Sequence, residues 1–130
     1  MIVVDASATF DLLVDVEPGA GWVAATIEPE PEWHCPELID PEVLHALRRH
    51  LAAGDVTERE ATSAVSDFLE MPLVRYPHRP FVARAWALRG QLTPYDALYV
   101  ALAEALDATL VTTDRRLARA VTTVDVAVPA

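Results

Sequence analysis

Residues 93–114 read TPYDALYVALAEALDATLVTTD, and their order predicts a helix, a tight turn and a strand. Thr93 suits an N-cap, Pro94 the first helical position, and Asp96 stands three residues after the cap, the spacing that satisfies free backbone N–H groups. From Ala97 to Leu106 the segment is apolar on nearly every side, which predicts a buried helix. The β-branched, apolar TLVTT at 109–113 reads as a central strand of a parallel sheet. Asp114 then falls at the C-terminal end of that strand, the edge where open α/β sheets gather ligands.

Working outward, Ile2 to Val4 reads as a first buried strand ending in Asp5-Ala6-Ser7, followed by a helix through Phe10, Leu12 and Leu13. Pro18-Gly19 breaks the chain before a short helix around Trp22 to Ile27. Glu28 to Glu32, EPEPE, reads as a solvated acidic loop. His34-Cys35-Pro36 leads to a helix started by Asp40 and Pro41, striped by Val43, Leu44, Leu47 and Leu51, and closed by Gly54. Thr57 and Glu60 form a second capping-box pattern opening a helix to about Met71. PLVRY at 72–76 predicts a short strand, PHRP a turn, and Phe81 to Gly90 a helix. RRLARA at 115–120 predicts a short helix and TVDVAV a last strand. Strands alternating with helices predict an α/β fold, a right-handed arrangement around a central parallel sheet flanked by helices in three layers. The 130 residues fit a single domain with no internal repeat.

Composition narrows the function. The formal charge is −10, lysine is absent, and residues 1–70 carry 15 acids against 3 arginines while residues 71–130 carry 5 against 7. Such a balance opposes broad, non-specific nucleic-acid binding, so a polyanion would need a local arginine surface and metal ions. One cysteine, Cys35, forms no internal disulfide; it reads as a small buried apolar residue in a reducing cytoplasm. No apolar run is long enough to predict a membrane span or a secretory leader.

Four acids stand where elements begin: Asp5, Glu42, Asp96 and Asp114. Singly, each is explained by helix capping and by the positive end of the helix dipole. Together they meet at one edge of one sheet and repel one another, with no lysine to neutralise them. A divalent cation resolves this. All-oxygen ligands suit Mg²⁺ or Mn²⁺, and the lack of a Cys/His cluster opposes structural zinc.

The D-x-S at Asp5 to Ser7, DPEVLHALRR with Glu42, T-x-Y-D-A-x-Y-V-A-L-A with Asp96, and L-V-T-T-D ending at Asp114 resemble a PIN-domain ribonuclease, more narrowly the VapC toxins of bacterial toxin–antitoxin pairs. The resemblance spans essentially the whole chain. It implies a PIN-like fold, metal-dependent endonucleolytic cleavage of RNA leaving 5′-phosphate and 3′-hydroxyl ends, a homodimer, and inhibition by a cognate VapB-type antitoxin that inserts a segment into the acidic pocket. It also implies a catalytic and metal-binding set of Asp5, Glu42, Asp96 and Asp114, with Ser7 and Thr113 as polar neighbours that orient carboxylates or water.

Weaker candidates surround this set. His45 shares part of Glu42's helix face and is a candidate for phosphate contact, as are Arg48 and Arg49, against plain solvated positions. Arg115 and Arg116 follow Asp114 and would touch either phosphate or a neighbouring carboxylate. Trp22, Trp33 and Trp86 read as core or interface residues. The chain has no G-x-G-x-x-G after a strand, no P-loop and no G-x-S-x-G elbow. The alternative to the nuclease is a PIN-fold binding module acting mainly through its antitoxin complex. A receiver-like phosphorylation domain is disfavoured, because it needs a lysine at a later strand's end.

Overall fold

The computed structural model describes residues 1–130. Chain order is β1 (Ile2–Val4), α1 (Ala6–Leu13), α2 (Gly19–Ile27), β2 (Trp33–Pro36), α3 (Ile39–Ala53), α4 (Glu58–Glu70), β3 (Leu73–Tyr76), a 3-10 turn (Arg79–Phe81) running into α5 (Val82–Ala87), α6 (Pro94–Leu106), β4 (Thr109–Val111), α7 (Arg115–Ala120) and β5 (Val126–Ala127). All strand pairs are parallel, in the spatial order β3-β2-β1-β4-β5. From β1 the chain winds outward through β2 and β3, then crosses back to lay β4 on the other side of β1. The reversal makes the C-terminal ends of β1 and β4 the switch point of the sheet, where a crevice opens between diverging connections.

Alternation along β1 decides which layer each helix joins. Ile2 and Val4 face a cluster built with Val23, Val43, Phe68 and other residues of α1 to α4. Val3 faces the opposite cluster, with Val100, Leu102 and Leu110, covered by α5 to α7. Both sheet faces are therefore buried, as a parallel sheet requires. Leu102 and Leu110 are fully enclosed, and truncating either to Ala removes about 2–5 kcal/mol.

The segment 93–114 forms the elements its order predicts. Thr93 caps α6 by accepting from the Asp96 N–H at 3.2 Å, and six consecutive or near-consecutive residues between Ala97 and Ala103 are buried. Asp107 ends α6 in the left-handed region at φ 51° and Gly54 ends α3 at φ 81°. The cysteine is buried and free, and its burial pushes the thiol up to about 12, so Cys35 behaves as a small apolar group.

Three features differ from the sequence reading. Trp33–Pro36 is a strand, paired on both sides, although Trp-His-Cys-Pro shows no strand alternation; Pro36 is tolerated because it is the last residue of β2, where a missing N–H removes little of the ladder. Leu44 is exposed, because the inward face of α3 follows Ile39, Val43 and Leu47 at four-residue steps. Of the two readings for Trp86, core or interface, the core one fails: Trp86 is 68% exposed and stacks under the Arg89 guanidinium.

Candidate active site

Each of the four acids is delivered to the switch point by a short, regular device. Asp5 follows β1 directly and is the N-cap of α1: its Oδ1 accepts the Ala8 N–H at 2.9 Å. Asp114 follows β4 and caps α7, its Oδ1 accepting from the Arg116 and Leu117 N–H groups at 2.9 and 3.2 Å. Asp96 lies in the first turn of α6 and Glu42 in the first turn of α3.

The cap at Asp96 is informative beside a second one in the same chain. At α4 the capping box is complete, with Thr57 accepting from the Glu60 N–H and the Glu60 carboxylate accepting from the Thr57 N–H. At α6 the first bond forms but the Asp96 carboxylate makes no return bond to the Thr93 N–H. The Thr93 side chain still lowers the Asp96 carboxyl, but without the return bond to the cap backbone the box is incomplete.

Asp5 is 5% exposed and is held on every side. The Ser7 hydroxyl donates to Oδ1 at 2.8 Å and the Thr112 hydroxyl to Oδ2 at 2.5 Å. Those hydroxyls are themselves aimed by the backbone, since Ser7 Oγ accepts the Thr113 N–H and Thr112 Oγ1 accepts the Asp114 N–H. A hydroxyl has one proton, so an accepted backbone bond leaves that proton for the carboxylate. Burial nevertheless outweighs the bonds from Ala8, Thr112 and Ser7, and together with repulsion from Asp96 it pushes the Asp5 carboxyl up to about 6.

Asp96 is the electrostatic hub. Burial raises its carboxyl first, and the Asp114 charge raises it further, against a lowering bond from Thr93 and the Arg116 charge. Glu42 is likewise raised, first by burial and then by Asp96, with a Tyr99 hydrogen bond opposing. Asp96 therefore repels Asp5 and Glu42 and is repelled by Asp114. None of the four acids has a salt bridge; the pairs that form, such as Arg75–Asp40 and Arg84–Glu104, lie elsewhere.

The hydroxyl that orients Asp5 is Thr112, not Thr113: the register Val4↔Val111 sets Thr112 beside Asp5 and turns the Thr113 side chain toward Asp11. Arg115 turns away and donates to the Ala130 carbonyl, whereas Arg116 is the arginine whose charge reaches Asp96. His45 and Arg49 line a cleft of about 390 Å³ between α1 and α3 that also includes Ser7 and Glu42, with Asp11 and His50 further along. Asp11, half-buried with its carboxyl raised chiefly by burial, has no motif around it in the sequence to single it out.

No three His, Cys, Asp or Glu side chains stand close enough to enclose an ion directly. The donor chemistry still fits Mg²⁺ or Mn²⁺: hard carboxylate oxygens, mutual repulsion that no salt bridge relieves, and one oxygen each on Asp114 and Glu42 free of protein hydrogen bonds. Mg²⁺ keeps several of its waters and uses one or two carboxylates with substrate phosphates, so it does not require a closed protein cage.

A family model for the PIN domain matches residues 2–122. The chain belongs to the PIN-domain family. This PIN domain is 40% identical over 119 residues to Ribonuclease VapC12 of Mycobacterium tuberculosis, covering 92% of this chain and 91% of that relative. Its fold is shared with Mycobacterium tuberculosis VapC20, described as a sarcin-ricin loop cleaving toxin (TM-score 0.71, 16% identity, 92% of this chain and 95% of that one). It is shared too with VapBC2 from Rickettsia felis, solved bound to a DNA fragment from their promoter (TM-score 0.71, 13% identity, 100% of both chains). At those identities the two structures speak for the fold of the PIN domain alone.

Proposed function

We propose that this PIN domain is a metal-dependent endoribonuclease of the VapC toxin type. The observation that carries the reading is the convergence of acids at the switch point of the sheet: the charges of Asp5, Glu42 and Asp114 act on Asp96 or feel it, none of the four forms a salt bridge, and only the Arg116 charge opposes them. Relatives 40% and 42% identical over most of the chain are named ribonucleases.

Asp5, Glu42, Asp96 and Asp114 hold the cation, and Ser7 and Thr112 fix Asp5 so that its carboxylate does not swing away. Mg²⁺ or Mn²⁺, when bound, supplies Lewis acidity toward water and the scissile phosphodiester. Arg116, whose charge reaches Asp96, and Arg49, which lines the α1–α3 cleft with Glu42, provide the positive charge that receives flanking phosphates on an otherwise acidic surface. Cleavage of an exposed RNA loop to 5′-phosphate and 3′-hydroxyl products, a homodimer, action in the cytoplasm and silencing by a VapB-type antitoxin complete the reading. Relatives 40% and 42% identical that carry the VapC name support the antitoxin partner. No helix is long and apolar enough to cross a membrane.

The test uses protein freed of any partner and incubated with total RNA. Cleavage is expected with Mg²⁺ or Mn²⁺, is abolished by EDTA, and is restored by excess metal. Intact RNA under every condition, with protein that still binds an antitoxin, would instead establish a binding module.

A further inference from the structure

Tyr99 lies three residues after Asp96 on α6, so both occupy one helix face. It is 2% exposed and among the largest fully enclosed side chains in the molecule. Its hydroxyl is not satisfied within the core by a backbone carbonyl. It crosses to α3 and donates to Glu42 Oε1 at 2.7 Å, the sole hydrogen bond that Glu42's side chain receives from the protein.

We propose that Tyr99 is a positioning residue for the cation site: it locks one oxygen of Glu42 from below and leaves Oε2 as the ligand oxygen presented beside Asp96. The inference rests on the reading of Glu42 as a metal ligand. Three observations support it. A charge-assisted bond of this length holds a carboxylate more firmly than a neutral one. The bond ties α3 to α6, so the Glu42 and Asp96 carboxylates keep a fixed separation although they repel each other. Glu42 is only half-buried and has no capping role of its own, so without Tyr99 it is free to rotate toward solvent, relieving that repulsion and dispersing the site. Asp5 has its Ser7 and Thr112 hydroxyls for the same purpose; Tyr99 gives Glu42 the equivalent from the opposite layer of the fold.

The experiment is a Mn²⁺ titration by calorimetry on metal-free parent, Tyr99→Phe, Glu42→Gln and the double variant, with RNA cleavage measured on each. Phe keeps the ring that fills the core, and Gln keeps an acceptor for the hydroxyl. Tyr99→Phe is expected to weaken Mn²⁺ binding on the order of 10- to 100-fold, as loss of an outer-shell partner does, and to lower kcat with little change in KM for RNA. In the Glu42→Gln background the same change is expected to weaken Mn²⁺ binding by less than about threefold, because its route of action is already gone. Equal weakening in both backgrounds, or parent-like Mn²⁺ affinity in Tyr99→Phe, overturns the positioning role. A parent that binds no Mn²⁺ overturns the cation site itself, and the role of Tyr99 with it.

Discussion

Asp5→Asn should make the metal-free protein more stable at neutral pH while destroying the site. Burial holds the Asp5 carboxyl at about 6 against an ordinary 3.8. A carboxyl raised by folding favours the native state below its unfolded pKa, and that advantage is lost as pH climbs through the folded value. At ~1.4 kcal/mol per pH unit, ionising Asp5 removes about 3 kcal/mol in full, roughly half of it between pH 5 and 7.5. Asn remains neutral and still accepts from the Ala8 N–H, and the Thr112 hydroxyl can reverse to accept from the amide. Urea denaturation in EDTA at both pH values is the assay. The parent should lose about 1–2 kcal/mol more than Asp5→Asn across that interval, and Mn²⁺ should restore the parent but not the variant. Parallel pH profiles in EDTA would refute the claim that burial strains this carboxylate.

Other consequences are as specific. Asp96→Asn removes the acid that repels Asp5 and Glu42, so it should raise the melting temperature in EDTA, weaken Mn²⁺ binding and reduce RNA cleavage to background. Thr112→Val keeps the shape but deletes a donor to Asp5 and an acceptor for the Asp114 N–H, and should cost about 1–3 kcal/mol by denaturation at pH 7.5. Thr57→Ala breaks the complete capping box of α4, far from the acids; a loss of about 1 kcal/mol with unchanged cleavage would separate fold stability from site chemistry.

The acids were legible in the sequence because each sits at a boundary that local chemistry marks: a strand end, a cap, a first turn. Side-chain direction was less so. Thr112 and Thr113 are the same residue twice, and only the Val4↔Val111 register decides which hydroxyl reaches Asp5. Arg115 and Arg116 present the same problem, resolved by the phase of a six-residue helix and a contact with Ala130. On α3, adjacent Val43 and Leu44 both fit a helical stripe, and the sheet beneath selects Val43. β2 was invisible because Trp-His-Cys-Pro acquires its strand geometry from neighbours on both sides, not from propensity. Tyr99 stood within the T-x-Y-D-A-x-Y motif, but nothing there singled out its hydroxyl, which gains meaning only when α3 is packed opposite.

The measurement closest to the central claim is a crystal of the isolated protein soaked in Mn²⁺, with data collected to locate the ion by its anomalous scattering. A peak is expected at the switch point of the sheet, contacted directly or through water by Asp96 and Asp5, with the free oxygen of Glu42 turned toward it. A saturating soak that leaves this crevice empty, or that places the ion at another group of acids, would contradict that claim.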